Sequence, residues 1–263
     1  MPGPKEQIGK LMREVGELLT VSAAAEALGI LKTDASKMLS RWVIQGWLTR
    51  IRRGLYAIVP IDAVDNHQAL EDEWVLVPEL YTPCYIGGWS ATEYWDFTEQ
   101  LFRDICVLTE QAVIHKKQEI HNISFSLTHI PKKINFGTKI IWKKNKKILI
   151  SDPHKTIIDT LYSPQLGGGI QHIVDCFKEY VKSQHYSPEK LAAYAMQIGS
   201  GAVFKRLGFL YSQITGEDNE LTKLCRQHLT QGIAHLDPSI KDGRIITQWR
   251  LNVPEQLEIR INT

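Results

Sequence analysis

Residues 21–59 read VSAAAEALGILKTDASKMLSRWVIQGWLTRIRRGLYAIV, and this stretch decides the fold of the first part of the chain. Ser22 is a favourable N-cap for a short helix over AAAEAL, which Gly29 ends because glycine readily takes the left-handed conformation at a helix C terminus. Thr33 is the N-cap expected for a longer helix that continues to Gly46. The spacing therefore predicts two helices joined by a tight turn.

A β-hairpin is predicted after these two helices. Its strands are expected over residues 47–51 and 55–59, and Gly54 between them is able to adopt the positive φ of a tight turn. Before the two helices, apolar residues recur at three- and four-residue steps over residues 4–19 and predict an amphipathic helix. Three helices and a hairpin in this order predict a winged helix-turn-helix over residues 1–60.

The third helix of this unit has one apolar and one polar face. A helical wheel places Ala35, Met38, Leu39 and Trp42 on the buried side. The opposite face carries small hydroxyls and cations, which suit a helix that enters the major groove of DNA. The residues predicted to contact DNA from this helix are Thr33, Ser36, Lys37, Ser40 and Arg41. The hairpin is expected to add Arg50, Arg52, Arg53 and Tyr56, because a wing contacts phosphates or the minor groove.

Two other interpretations of the N-terminal unit stay open. A polar helix face is usually an ordinary solvated surface, and arginines in a hairpin are common surface residues. A winged helix can also serve only as a protein-contact module, because a fold does not by itself specify a function. The polar helix face and the arginine-rich hairpin occur together in the required order, and this favours DNA binding.

Charge is unevenly distributed along the chain, although the net charge is only +2. Residues 61–110 contain eleven acidic side chains and one basic one, whereas residues 111–150 contain nine lysines and one glutamate. The lysines suggest a second contact with a polyanion, made through point charges rather than through base reading. The candidate auxiliary nucleic-acid contacts are Lys132, Lys133, Lys143, Lys144, Lys146 and Lys147. The alternative is that these lysines protect exposed strand edges from aggregation.

The remainder of the chain predicts a larger domain of mixed α and β structure over residues 61–263. Pro60 and the acidic stretch after it mark the boundary. Alternating apolar residues predict strands between residues 104 and 150, helical periodicity dominates from Asp152 onward, and alternation returns near the C terminus. Asp152 and Ser187 are expected to cap helices that begin with proline. The predicted fold class is therefore α+β.

No arrangement of residues predicts an enzyme. The nine histidines are dispersed, and no pair has the spacing that places two metal ligands on one helical face. Asp152, His154 and Asp159 lie close in sequence, but a helix cap explains the first of them. Residues 167–169 are three glycines without the lysine of a phosphate-binding loop. We therefore predict no catalytic residue, no bound metal and no cofactor.

Composition also bears on where the protein works. The four cysteines lie far apart in sequence and predict free thiols in a reducing compartment. No apolar run approaches the roughly 20 residues that span a bilayer, and the N terminus lacks the apolar core of an export signal. These features predict a cytoplasmic protein that has no membrane partner.

Several segments, taken in their order and spacing, resemble one known family. They are RIRRGLYAIVP at 50–60, YIGGWSATEYWDFTEQLF at 85–102, SDPHKTIIDTLYSPQLGGGIQHIVDCF at 151–177, KRLGFL at 205–210 and WRLNVP at 249–254. On these segments the chain is similar, over nearly its whole length, to the AbiEi antitoxins of type IV toxin–antitoxin systems.

The resemblance implies a repressor that is also an antitoxin. It implies that the N-terminal domain binds inverted repeats in the protein's own promoter, which is double-stranded DNA. It implies that the larger domain counteracts a partner toxin of the nucleotidyltransferase-like class, without a requirement for direct contact. Two alternatives stay open: an orphan transcriptional regulator with no toxin, and a protein-interaction module that sequesters a toxin directly.

Overall fold

Three helices and a three-stranded sheet form the N-terminal part of the computed structural model, which describes residues 3–59, 72–143, 145–216 and 218–259. The elements are α1 (Pro4–Glu14), β1 (Leu18–Thr20), α2 (Val21–Leu28), α3 (Lys32–Ile44), β2 (Leu48–Arg52) and β3 (Leu55–Ile58). The strands are antiparallel in the order β1-β3-β2. Gly54 joins the hairpin at φ +82°, which confirms the predicted turn.

The first helix is shorter than predicted. It ends at Glu14, and Gly16 then takes a φ of +98° that turns the chain. Leu18 and Leu19 are not helical but pair with β3, so the prediction of a helix over residues 4–19 is wrong at its C-terminal end. Thr20 caps α2 in place of the expected Ser22, because its hydroxyl accepts a hydrogen bond from the Ala23 amide at 3.1 Å.

A six-stranded mixed sheet forms the centre of the second part of the chain. Its strands are β4 (Cys84–Ile86), β5 (Asp104–Thr109), β6 (Lys117–Ile120), β7 (Ile123–His129), β8 (Thr138–Lys143) and β9 (Lys146–Ser151). The order is β6-β7-β5-β4-β9-β8, in which β7 runs parallel to β5 and β4 runs parallel to β9. Strand β6 was not predicted, because KQEI is a polar edge strand with little apolar alternation.

Five longer helices and a small sheet cover one face of this central sheet. They are α6 (Pro153–Tyr162), α7 (Ile170–Lys182), α8 (Pro188–Ile198), α9 (Gly201–Thr215), α10 (Glu220–Gln227), β10 (Ala234–His235), β11 (Arg244–Ile246) and β12 (Leu251–Val253). Asp152 and Ser187 accept hydrogen bonds from the amides of Lys155 and Lys190, at 2.8 Å and 3.2 Å. Both predicted caps are therefore confirmed, as is the α+β class.

The winged helix itself covers part of the opposite face of the sheet. Helix α4 (Leu76–Tyr81) and a 3-10 helix (Glu73–Val75) lie there, and α5 (Gly88–Tyr94) follows β4. The apolar cluster on this side combines Leu18, Ile51, Leu55 and Ala57 of the winged helix with Ile105 and Val107 of β5. The two parts of the chain thus share this apolar cluster. Residues 60–71, where the sequence predicts the domain boundary, lie outside the described residues.

No helix among the described residues combines the length and the apolar character that crossing a bilayer requires.

Candidate nucleic-acid interface

The outer face of α3 is open to solvent. Ala35, Leu39 and Trp42 anchor the helix in the small core of the winged helix, as the helical wheel predicts. The opposite face remains uncovered by the second part of the chain. Thr33, Lys37, Ser40 and Arg41 are exposed, and Ser36 is half-buried. The structure therefore brings together the five residues predicted on this helix in one accessible polar and basic surface, which we call the α3 face.

The start of α3 differs from the prediction. The N-cap is Leu31 rather than Thr33, and no side chain caps the helix. The amides of the first turn consequently have no side-chain acceptor. Uncapped amides and the positive end of the helix dipole together favour a phosphate oxygen. The exposed carboxylate of Asp34 in the same turn opposes such a contact, so the corrected helix start does not by itself indicate a phosphate site.

The wing presents two arginines to solvent. Arg50 and Arg53 are exposed on β2 and at the hairpin turn, and neither guanidinium group has a hydrogen-bond partner among the described residues. The backbone beside them is held in place, because Nε2 of His121 lies 2.8 Å from the carbonyl oxygen of Arg50. Both arginines therefore remain available for a phosphate or for the minor groove.

Arg52 makes a contact within the chain that the sequence did not predict. Its guanidinium group donates hydrogen bonds to the carbonyl oxygen of Leu80, at 3.4 Å, and to that of Glu79. Both carbonyls belong to α4 in the second part of the chain. The side chain of Arg52 thus fastens the wing to α4 while it stays exposed to solvent, and its contact with DNA remains a prediction.

Tyr56 also lies away from the expected surface. It is only 3% exposed and packs in the core with Leu19, Leu39 and Trp42. The reason is the additional strand β1, which makes β3 the central strand of its sheet. Side chains of β3 point alternately into the winged-helix core and toward the six-stranded sheet, so all four of its residues are buried. The prediction that Tyr56 contacts DNA is wrong.

The six lysines proposed as auxiliary nucleic-acid contacts, which we call the lysine block, do not form one phosphate-facing surface. Nζ of Lys143 lies 3.1 Å from Oδ2 of Asp72, and Nζ of Lys146 lies 2.9 Å from Oε1 of Glu79. These two lysines are therefore paired with acids of residues 61–110, which weakens their candidacy as nucleic-acid contacts. Three members of the block are exposed, namely Lys132, Lys133 and Lys147. Lys144 lies outside the described residues.

One residue of the α3 face was missed by the sequence reasoning. Ile44 is 87% exposed at the C-terminal end of α3. It follows Thr33 by eleven residues, Lys37 by seven and Ser40 by four, so all four lie on the same side of the helix. The helical wheel alone could have placed it there, but a search limited to polar and basic residues passed over it.

Arg52 and Arg53 give opposite expected results when each is replaced by alanine. Arg53→Ala should weaken duplex binding by about 1 kcal/mol or more, without loss of stability, because its exposed side chain is free for DNA. Arg52→Ala should lower the free energy of unfolding by about 1 kcal/mol, because it breaks hydrogen bonds to α4 that are partly open to solvent. Gel shifts and urea unfolding of both variants measure the two effects. Loss of binding in Arg52→Ala at unchanged stability would contradict our assignment.

The residues considered for catalysis have structural roles. Oδ2 of Asp152 accepts a hydrogen bond from the Tyr194 hydroxyl at 2.6 Å, while its other oxygen caps α6. Asp159 is fully buried in an ion pair with Lys155, and it accepts a hydrogen bond from the Tyr85 hydroxyl at 2.9 Å. All four cysteines are buried free thiols. Within the described ranges, no group of three or more His, Cys, Asp or Glu side chains is placed to hold a metal ion.

His154 is a half-buried residue whose charge state should influence stability. Burial lowers its pKa below the ordinary value of 6.5, an effect that Asp152 opposes and that Lys190, His185 and Lys139 reinforce. Its Nδ1 lies 2.8 Å from the Tyr180 hydroxyl.

A histidine whose pKa is lowered by folding favours the neutral form in the native state. Its stabilising contribution is complete above pH 6.5 and is lost as the pH falls through the folded-state pKa. We expect His154→Gln to lose less stability than the wild type between about pH 7 and about pH 5. Urea unfolding across this range tests the effect, and identical pH profiles would contradict it.

Comparison with known proteins agrees with this architecture. Residues 10–59 match a family model described as "Transcriptional regulator, AbiEi antitoxin". The fold resembles the crystal structure of the RV2827C protein from Mycobacterium tuberculosis, with a TM-score of 0.64, 14% sequence identity, and coverage of 96% of this chain and 92% of that one. No curated protein matches the chain.

The matched segment contains α3 and the wing, which are the elements that form the interface described above. The family model thus supports, for residues 10–59, the resemblance noted in the sequence: this segment is similar to AbiEi antitoxin transcriptional regulators.

Proposed function

We propose that the protein is a DNA-binding antitoxin that binds inverted repeats in its own promoter and represses its toxin–antitoxin operon. The α3 face carries this proposal. It is polar, basic and uncovered, and the exposed wing arginines Arg50 and Arg53 belong to the same small domain. A helix with small hydroxyls and cations on its outer face suits the major groove, and an arginine-bearing wing suits the adjacent backbone.

The second part of the chain orients the wing in this proposal. Arg52 bonds to the end of α4, and His121 contacts the backbone of Arg50, so the hairpin is held at two points. The shared apolar core beneath it limits rotation of the winged helix against the six-stranded sheet. DNA would therefore meet a preorganised surface, which reduces the entropy lost on binding.

The antitoxin role rests on the family description of residues 10–59 and on the resemblance of the later segments. In our proposal the larger part of the chain counteracts a nucleotidyltransferase-like toxin and has no catalytic activity of its own. The protein would act in the cytoplasm. An orphan regulator without a toxin would use the same DNA interface, and inspection of the neighbouring gene separates these two cases.

A specific observation favours direct toxin binding as the second candidate function. Strand β8 lies at the edge of the six-stranded sheet, and it exposes Trp142 (67%) and Ile140 (51%) to solvent. Neighbouring exposed apolar side chains on an edge strand are typical of a protein-contact surface. Co-purification of the full chain with its toxin would support this candidate.

A gel shift with the full chain tests the proposed function. The probes are duplexes from the DNA upstream of the gene and a scrambled duplex of equal length. We expect a specific shift with an upstream duplex that weakens as salt rises, since phosphate contacts release counterions. Equal binding of both probes, or binding of neither, would contradict promoter recognition. Coexpression with the neighbouring toxin gene tests antitoxicity separately.

A further inference from the structure

Ile44 is an exposed isoleucine that lies among the polar and basic side chains of the α3 face. Isoleucine is among the residues most often buried in proteins, yet this one is 87% exposed. A single exposed apolar residue would be unremarkable elsewhere on the surface. Here it lies on the α3 face, one turn beyond Ser40 and on the side of the helix that carries Lys37. An apolar group on a surface of hydroxyls and cations that faces DNA is placed to contact an apolar group of the bases.

We propose that Ile44 contacts the 5-methyl group of a thymine in the major groove and thereby contributes to operator specificity. This inference rests on the proposed function and names a base that the α3 face reads. The thymine methyl is the apolar feature that the base pairs of unmodified DNA present in the major groove. The side chain of Ile44 has no polar group, so its contribution to base reading is limited to such a contact.

The length of α3 separates this thymine from the bases contacted at the start of the helix. Thr33 and Ile44 are eleven residues apart, which corresponds to about 16 Å along the helix axis, and Lys37 and Arg41 lie between them in sequence. We therefore expect the thymine at a different base pair from the one that the start of α3 contacts.

Removal of a single methyl group from the DNA tests the contact. An upstream duplex that the protein protects in a footprint is synthesised with deoxyuridine in place of one thymine at a time, in both half-sites. Burial of one methyl-sized group stabilises by an amount equivalent to about fourfold in affinity. We expect one such replacement to weaken wild-type binding about fourfold, and to change the binding of Ile44→Ala less than about twofold.

A matched control separates this contact from a general loss of apolar surface. Ile245 is 56% exposed in β11, which belongs to the small sheet on the far side of the six-stranded sheet from the winged helix. Ile245→Ala should bind DNA as the wild type does and retain its sensitivity to deoxyuridine. Thermal unfolding should be the same for both variants, because both side chains are exposed.

The outcomes distinguish this inference from the proposed function. One outcome is that the wild type binds the duplex, but every deoxyuridine replacement changes the affinity of the wild type and of Ile44→Ala equally. The inference at Ile44 is then overturned, and DNA binding stands. If the wild type protects no upstream duplex and none selected from a random pool, the proposed function itself fails. A sensitivity that is present in the wild type and in Ile245→Ala, but is lost in Ile44→Ala, establishes the contact.

Discussion

Replacement of Lys37 and Arg41 together by alanine is expected to weaken binding of the promoter duplex by about 2–4 kcal/mol. Both side chains are exposed on the α3 face, where a cation reaches guanine acceptors or phosphate oxygens. The dependence of the binding constant on salt should also become shallower, by up to about two units, because fewer counterions are released. Gel shifts at several salt concentrations measure both quantities.

A control with the same loss of charge shows whether position matters. Lys182 and Lys223 are exposed lysines on α7 and α10, each paired with a glutamate of its own helix. The double variant Lys182→Ala/Lys223→Ala loses two positive charges far from the α3 face and should change the affinity by less than about 0.5 kcal/mol. Equal weakening by both double variants would indicate general electrostatic attraction and would remove α3 from recognition.

Lys155→Met should produce the largest loss of stability, about 3–5 kcal/mol in the free energy of unfolding. Lys155 and Asp159 are both fully buried, and Nζ of Lys155 donates to the Tyr85 hydroxyl at 2.8 Å. Removal of the lysine leaves a buried carboxylate with the Tyr85 hydroxyl as its remaining side-chain hydrogen-bond donor among the described residues. Chemical denaturation measures the effect.

Two comparisons test the physical reason for this loss. Lys182→Met breaks an exposed pair with Glu179 and should cost less than about 0.5 kcal/mol. The triple variant Lys155→Met/Asp159→Leu/Tyr85→Phe removes all three polar groups of the buried cluster and should recover most of the stability, because no unpaired polar side chain remains. A triple variant as unstable as the single one would show that packing, not charge, is responsible.

The pH dependence of Lys155→Met provides a further check of the same prediction. Burial raises the pKa of Asp159 above its ordinary value of 3.8, and the ion pair with Lys155 opposes that rise. Without Lys155 the pKa should rise further. A carboxyl group whose pKa is raised by folding contributes stability that is full below the unfolded-state pKa and is lost as pH rises through the folded-state pKa. The deficit of Lys155→Met should therefore shrink as the pH is lowered toward 3.8.

The sequence by itself determined the features that depend on neighbours a few residues away. Gly54 at the hairpin turn, the caps Asp152 and Ser187, and the apolar side of α3 all follow from local geometry and helical periodicity. For the same reason the α3 face could be described in advance.

Only the tertiary structure decided which of the predicted side chains are available to a ligand. Strand β1 makes β3 a central strand, and Tyr56 is therefore buried. Arg52 donates hydrogen bonds to the carbonyl oxygens of Glu79 and Leu80 in α4, which lie 27 and 28 residues away in sequence. Lys143 and Lys146 meet acids of the preceding acidic stretch through pairings of the same kind. These contacts join residues that are distant along the chain, and tertiary packing, within each part and between the two, brings them together rather than local propensity.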